Sequence, residues 1–285
     1  MSKHRFEAAE LLVIDGQLRD GGQPALLANL PGVLRGEGIF ETFLVIDGDA
    51  SCLLTRHNER LRHSASLMGM DLGAHGLVED LHEVLGHLPK QGRFRVRYTV
   101  LRGLNHELVR MWSAGSVSRP PDQVSLLWSR FRQDPLNPLC AAKTTSRAIY
   151  QVAHAEAVEA DCFDALLPTI DGDISECTAA NLLCWVDGAL HTPGLDRGIL
   201  AGVTRALLLE ACQKAGIPVV VGKISQKLLC RAEEVFISNA VIGVIPVDKI
   251  KGLQDGYPGQ AGSQLPLVRQ AYLAALPDPA PHLLR

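Results

Sequence analysis

Three apolar runs in this chain end in Asp-Gly, and a fourth comes shortly before another such pair. Leu11-Leu12-Val13-Ile14 precedes Asp15-Gly16, and Leu44-Val45-Ile46 precedes Asp47-Gly48. Ala165-Leu166-Leu167 comes shortly before Asp171-Gly172, and the apolar run ending at Val186 precedes Asp187-Gly188. Asp and Gly tolerate the positive φ of the tightest turns, so each site predicts a strand that reverses at once. The run 181–186 with Leu190-His191-Thr192-Pro193 reads as a complete hairpin. Further strands are predicted at 95–103, 124–128, 219–221 and 234–240, the last continuing at 244–247. Helical spacing covers 54–68, where Leu54, His57, Leu61 and Ser64 recur on one face, then 77–88, 145–160, 205–215 and 264–276, with a short piece at 228–232. Strands and helices in this mixture predict an α+β chain.

With 285 residues and 47% apolar content, the chain suits one large or two modest domains with a sizeable core. The best linker is Arg132-Gln133-Asp134-Pro135-Leu136-Asn137-Pro138, which carries two prolines in a polar setting. It predicts an N-terminal domain over 1–130, a linker over 131–138 and a C-terminal domain over 139–285. A net charge of −3 argues against a nucleic-acid binder. The arginines of Arg93-Phe94-Arg95-Val96-Arg97 alternate as on one face of a strand, structural or looking into an anion-binding cleft. The seven cysteines, with no metal-binding spacing, read as reduced and mostly buried thiols of a cytoplasmic protein. No metal and no membrane segment are expected: the polar N-terminus has no signal core and the Pro-rich C-terminus reads as frayed. Gly21-Gly22 and Pro31-Gly32 mark loops. The glycines around Gly36 and Gly38 lead into a strand with no Gly-Lys-Ser/Thr ending, which excludes a P-loop.

The chemistry concentrates after the linker. Lys143 sits among small residues in Ala141-Ala142-Lys143-Thr144-Thr145-Ser146-Arg147, and Glu176 follows in Ile174-Ser175-Glu176-Cys177-Thr178-Ala179-Ala180-Asn181. Alone, a lysine or a glutamate is far more often a surface residue. Together, an amine and a carboxylate can serve opposite ends of a carbonyl cofactor. Gly202-Val203-Thr204-Arg205 opens a long helix whose free N–H groups, beside a threonine hydroxyl, make an anion seat or an ordinary cap.

In order and spacing these landmarks resemble the fold-type IV pyridoxal-phosphate (PLP) enzymes, the family of branched-chain aminotransferases, D-amino-acid aminotransferases and aminodeoxychorismate lyases. The pieces are Gly38-Ile39-Phe40-Glu41-Thr42, His57 through Arg60-Leu61 to Ser64-Ala65, Arg102-Gly103, Lys143, Ile174-Ser175-Glu176 with Asn181-Leu182, Thr192-Pro193, Gly202-Val203-Thr204-Arg205, and 232–237 ending in Ile245-Pro246-Val247. The resemblance covers residues 11–250. It implies a smaller N-terminal α/β domain, a C-terminal β-barrel-like domain, PLP in the cleft between them, and a homodimer whose partner completes each site.

Carried over by position, Lys143 is the Schiff-base lysine and Glu176 the partner of the pyridinium nitrogen. Arg60 with Gly202, Val203 and Thr204 cradles the phosphate, and Asn239-Ala240 closes over it. Asn239-Ala240 stands where the aminotransferases carry Gly-Thr or Ser-Thr, and Arg147 where the branched-chain enzymes favour tyrosine. Both lean toward the lyases, which release pyruvate from 4-amino-4-deoxychorismate to give 4-aminobenzoate for folate synthesis. Lys143 would take the C4 proton, with Lys143 or Thr42 protonating the leaving group. A substrate with two carboxylates calls for arginines, and Arg97, Arg102 and Arg147 are candidates, each with structural ion pairing as the alternative. Leu104-Asn105-His106-Glu107 departs from the second Arg-Gly and tyrosine often found in lyases. An aminotransferase of branched-chain or D-amino acids, and a catalytically silent binding subunit, remain as alternatives.

Overall fold

The computed structural model describes residues 11–20, 23–50 and 53–276. The expected Gly21-Gly22 loop, Cys52, the polar N-terminus and the frayed end after Leu276 lie outside them. The described residues divide into two compact units, the first running to 118 with 142–146, the second over 119–141 and from 147 onward.

Among its described residues the first unit holds six strands: β1 (Leu11–Ile14), β2 (Gln17–Arg19), β3 (Gly38–Ile46), β4 (Asp49–Ala50), β5 (Arg93–Arg102) and β6 (Leu108–Ser116). They form an antiparallel sheet in the order β2-β1-β6-β5-β3-β4. Asp15-Gly16 and Asp47-Gly48 are two-residue turns in which both residues have positive φ (46° and 73°, 50° and 83°), the geometry that follows the twist of a hairpin. Each aspartate also binds its neighbour: Asp15 accepts from the Arg110 N–H and Asp47 from that of Gly92. The arginines of β5 alternate with buried Phe94, Val96 and Tyr98, as period two predicts. Helix Leu54–Leu67 lays Leu61 and Ala65 into a core with Ile39, Phe43, Val96, Tyr98 and Trp112. Trp112 packs at 4.4 Å from Tyr98, the rings tilted by 38°, and lies edge-on to Phe43 at 6.3 Å.

The second unit holds β7 (Val124–Trp128), β8 (Asp164–Pro168), β9 (Ile174–Cys177), β10 (Asn181–Val186), β11 (Ala189–Pro193), β12 (Val219–Gly222), β13 (Glu234–Asn239) and β14 (Gly243–Lys251). Their order is β12-β11-β10-β13-β14-β7-β8-β9, with β11/β12, β14/β7 and β7/β8 parallel and the other pairs antiparallel. The sheet curls until its edges approach: the Ile174 N–H on β9 donates to the carbonyl of Ile224, two residues beyond β12. That near-closure matches the barrel-like expectation. Leu126, Leu166, Leu182, Val235, Ile237 and Val247 form its core. Helix Ala148–Glu159 packs Ala153 and Ala157 against Cys162 and Ala165, and helices Val203–Lys214 and Leu265–Ala275 pack on each other. Of the six described cysteines, five are buried and Cys230 is partly exposed.

Three expectations are corrected. The division falls at 118/119, not at 131–138, because β7 pairs between β14 and β8 and therefore belongs to the second sheet. The proposed linker is itself packed there, Gln133 exchanging backbone hydrogen bonds with Pro168 and Ile170. The helix expected over 77–88 is two short pieces, Leu77–Asp80 and His82–Leu85. Asp80 turns inward to accept the Tyr98 hydroxyl at 2.6 Å, and the Val84 N–H bonds only three residues back, to the Leu81 carbonyl at 3.2 Å. The helix expected from Thr145 begins at Ala148, because Thr144 and Thr145 pair with β3 instead.

Candidate active site

Lys143 stands on the short segment Ala142–Ser146 that returns to the first unit. Its carbonyl accepts from the Phe40 N–H at 2.9 Å, the Thr145 N–H donates to the Gly38 carbonyl at 2.8 Å, and its own N–H donates to Ser64 Oγ at 2.9 Å. Ser64 is fully buried on helix Leu54–Leu67. The lysine backbone is thus pinned from the sheet and from the helix. Nζ lies 4.7 Å from the centre of the Phe40 ring, and the Arg97 guanidinium lies 3.6 Å from the same ring. Arg97 also donates to Thr99 Oγ1 and pairs in register with Thr42. Lys143, Arg97 and Phe40 therefore meet on one side of the sheet, with Thr42 two residues beyond Phe40 on the same face.

Glu41 points to the opposite face, among Ile39, Phe43 and Val45, and is fully buried. Two basic side chains of the helix meet it. Arg60 grips it through Nε and Nη2 at 2.8 and 2.6 Å, and His57 Nδ1 lies 2.7 Å away. Burial pushes the Glu41 carboxyl up, but the Arg60 charge and the bonds from Arg60 and His57 outweigh it and hold it well below the carboxylate range. Burial lowers the His57 imidazole against the pull of Glu41, with Arg60 and Lys143 adding to the lowering. A neutral His57 donates from Nδ1 to Glu41, which leaves Nε2, buried and without a partner among the described residues, as the bare nitrogen. Arg60, placed on the phosphate by sequence, is thus held in a bidentate pair. Arg102 also has structural duties: it pairs with Glu37 at 2.8 Å and donates to the carbonyls of Met68 and Gly69.

In the second unit Glu176 is the third residue of β9 and is buried. Its Oε2 accepts from Asn181 Nδ2 at 2.9 Å and from the Leu200 N–H at 3.2 Å. Gly202 is the N-cap of the twelve-residue helix Val203–Lys214, and no side chain caps that helix. Val203 and Thr204 are buried in its first turn. Arg205 is buried as well, donating from Nε to Thr192 Oγ1 at 3.0 Å and from Nη2 to the Pro193 carbonyl at 2.8 Å. Burial lowers its pKa and Glu176 opposes the shift. Asn239 closes β13, and Ala240 follows in the turn to β14. Asn239 Oδ1 accepts from the N–H groups of Val241 and Ile242, and its Nδ2 donates to the Ala179 carbonyl. Arg147 donates to the Thr178 carbonyl and lies 4.4 Å over the Tyr150 ring.

A phosphorylated pyridine aldehyde fits this donor set. Buried hydroxyls are rarely left unpaired, yet Thr204 Oγ1 at the helix start and Ser238 Oγ beside Asn239 are buried with no hydrogen-bond partner among the described residues. With the amides of an uncapped helix N-terminus they can bind phosphate oxygens. A carboxylate held by two donors suits a protonated ring nitrogen.

Sequence reasoning gave no role to Glu41, His57, Ser64, Asn181, Arg205 or Ser238. A signal was present for Glu41, a lone charge in the apolar alternation of β3, and for His57 on the apolar stripe of its helix. Ser64 shares that stripe, although its partner Lys143 is distant in sequence; no signal existed for Ser238.

The family model described as Amino-transferase class IV matches residues 38–250. The aminodeoxychorismate lyase of Bacillus subtilis is 25% identical over 280 residues, covering 90% of this chain and 93% of that protein. The D-alanine aminotransferase of Listeria monocytogenes is 28% identical over 249 residues, covering 81% and 84%. Among solved structures, a hypothetical aminotransferase from Mycobacterium tuberculosis in its PLP-bound form superposes with a TM-score of 0.81 over 94% of this chain and 99% of that one; at 20% identity the likeness concerns the fold. With its matched landmarks spread over both units, this chain belongs to the class IV aminotransferase family and has the two-part α+β fold of the fold-type IV enzymes.

Proposed function

We propose that this protein is a PLP-dependent 4-amino-4-deoxychorismate lyase, working as a homodimer and supplying 4-aminobenzoate for folate synthesis. The observation that carries the cofactor is the doubly held Glu176 carboxylate together with the buried Thr204 hydroxyl, unpartnered among the described residues, at an uncapped helix start. When bound, PLP supplies an aldehyde that captures an amine and a ring that accepts electrons from the adjacent carbon. Lys143 would hold the aldehyde, and Glu176 would keep the ring nitrogen protonated. Thr204, the amides of Gly202 and Val203, Ser238, the Asn239-Ala240 turn and Arg60 would hold the phosphate.

Lys143 then acts as the proton carrier. Its amine takes the proton from C4 of the substrate, and the C–O bond to the enolpyruvyl group breaks. Lys143, or the Thr42 hydroxyl on the same sheet face, returns a proton to the leaving group, which becomes pyruvate. The carbocycle gains aromaticity, which makes the step strongly downhill. Arg97, beside Lys143 on the Phe40 ring, is the arginine best placed for a substrate carboxylate. Arg147 is the second candidate. Asn239-Ala240 and Arg147 favour the lyase over an aminotransferase, an activity also represented among the relatives.

The test is one incubation of PLP-loaded protein with enzymatically generated aminodeoxychorismate, with 4-aminobenzoate and pyruvate both measured. A parallel incubation holds leucine or D-alanine with 2-oxoglutarate, with glutamate measured. The lyase gives equal amounts of aminobenzoate and pyruvate, and Lys143→Ala abolishes both. Glutamate without aminobenzoate moves the protein to the aminotransferases. Neither product, with Lys143→Ala indistinguishable from wild type, indicates a silent binding subunit. Sedimentation at micromolar concentration tests the homodimer.

A further inference from the structure

Asn181 has no part in the mechanism above, yet its side chain joins two pieces of the second unit. Its Nδ2 donates to Glu176 Oε2 at 2.9 Å and to the Leu200 carbonyl at 3.0 Å. Both neighbours of that nitrogen are acceptors, so chemistry fixes which way the amide faces. Its Oδ1 lies against Gly202, where an added Cβ would come within 1.8 Å. Asn181 is 6% exposed and opens β10, opposite Ser238 in the register with β13. One amide therefore touches the Glu176 carboxylate on β9, the 199–201 loop and the N-cap of helix Val203–Lys214.

We propose that Asn181 is a positioning residue that holds the Glu176 carboxylate anionic and in one orientation for the ring nitrogen of the cofactor, in register with the helix start. The proposal rests on the reading that Glu176 faces that nitrogen. A carboxylate oxygen that accepts two N–H bonds is stabilised as the anion and loses rotational freedom. Asn181→Ala removes one of the two donors. Asn181→Asp keeps the shape but sets a second carboxylate against the first; two such groups at this distance cannot both stay ionised, and the proton they share is withdrawn from the ring's counter-charge. Gly202→Ala acts from the other side, its Cβ displacing the Asn181 amide while Asn181 and Glu176 keep their chemistry.

The experiment uses PLP carrying ¹⁵N in the ring, bound to the wild type and to the Asn181→Ala, Asn181→Asp, Gly202→Ala and Glu176→Gln variants. The ring ¹⁵N shift is followed across pH, and PLP dissociation is measured by equilibrium dialysis. Thermal unfolding of the cofactor-free proteins reports the fold separately. The expected result is a ring signal that moves toward the unprotonated position in Glu176→Gln and Asn181→Asp. In Asn181→Ala and Gly202→Ala the ring titrates at lower pH and PLP is held about tenfold less tightly. If Glu176→Gln moves the signal while both Asn181 variants and Gly202→Ala keep the wild-type titration, the positioning role is overturned and the reading of Glu176 stands. If Glu176→Gln itself leaves the signal unchanged, both fall. A purely structural Asn181 would lower the melting temperature without moving the ring nitrogen. Asn181→Asp, nearly identical in volume, keeps the test open should the alanine variant unfold.

Discussion

Glu41 is a carboxylate with no exposure, on a strand face otherwise given to Ile39, Phe43 and Val45. Only its partners make that position tolerable, and removing either side of a buried ion pair is costly because the other charge stays behind. Glu41→Ala should therefore destabilise the protein by about 3–5 kcal/mol, measured by urea unfolding; a loss below about 1 kcal/mol would show that the pair is solvated in solution. The carboxyl is depressed in the folded state, so its stabilisation is complete above the ordinary carboxylate range and disappears as pH falls below it. His57 works in a higher window. Its folded pKa lies below the unfolded value of about 6.5, so just below that pH the unfolded chain binds a proton that the native state refuses. Stability must then rise with pH through this window. The melting temperature should fall between pH 7.5 and 5.5, and His57→Asn should flatten that part of the profile.

At the scale of elements, the hairpin turns and the helix ends hold the sharpest expectations. Asp187 and Gly188 have φ of 49° and 79° between β10 and β11. A Cβ at Gly188 would meet no atom within 4 Å, so only backbone strain opposes it. Gly188→Ala should cost about 1 kcal/mol, read from the urea midpoint. Glu234 carries more. It is buried at the start of β13 and accepts from the Gln264 and Leu265 N–H groups at 2.7 and 3.1 Å, satisfying the start of helix Leu265–Ala275. Glu234→Ala strands those donors and should cost about 1–3 kcal/mol. Amide exchange should show it: protection is lost first in residues 264–268, whereas equal loss throughout the second unit would argue against a local cap.

The whole molecule offers a simpler measurement. A ligand that binds only the native chain stabilises it by mass action, by about 2.7 kcal/mol at a hundred times its dissociation constant. PLP should raise the melting temperature in proportion to the logarithm of its concentration, and Lys143→Ala should weaken that rise; no rise in the wild type would count against the cofactor. Much of the architecture was legible along the chain. Asp-Gly pairs set three two-residue hairpin turns, because φ preference belongs to the residue itself. Alternation placed the arginines of β5, and helical spacing put His57, Leu61 and Ser64 on one buried face. The landmarks around Lys143, Glu176 and Gly202 identified the family, since each keeps its spacing within a short segment. The strand Val124–Trp128 was legible as a strand, but its partners β14 and β8 are decided by pairing between residues far apart in sequence, and with them the division at 118/119. The same holds for the short return of 142–146 to the first sheet, which cost the next helix its first turn. Glu41 with Arg60, Ser64 with Lys143 and Glu176 with Leu200 are likewise contacts across 19, 79 and 24 positions. Local preference fixes turns, periods and the residue types a site needs. Which donor meets which acceptor depends on burial, and burial exists only once the strands have found one another.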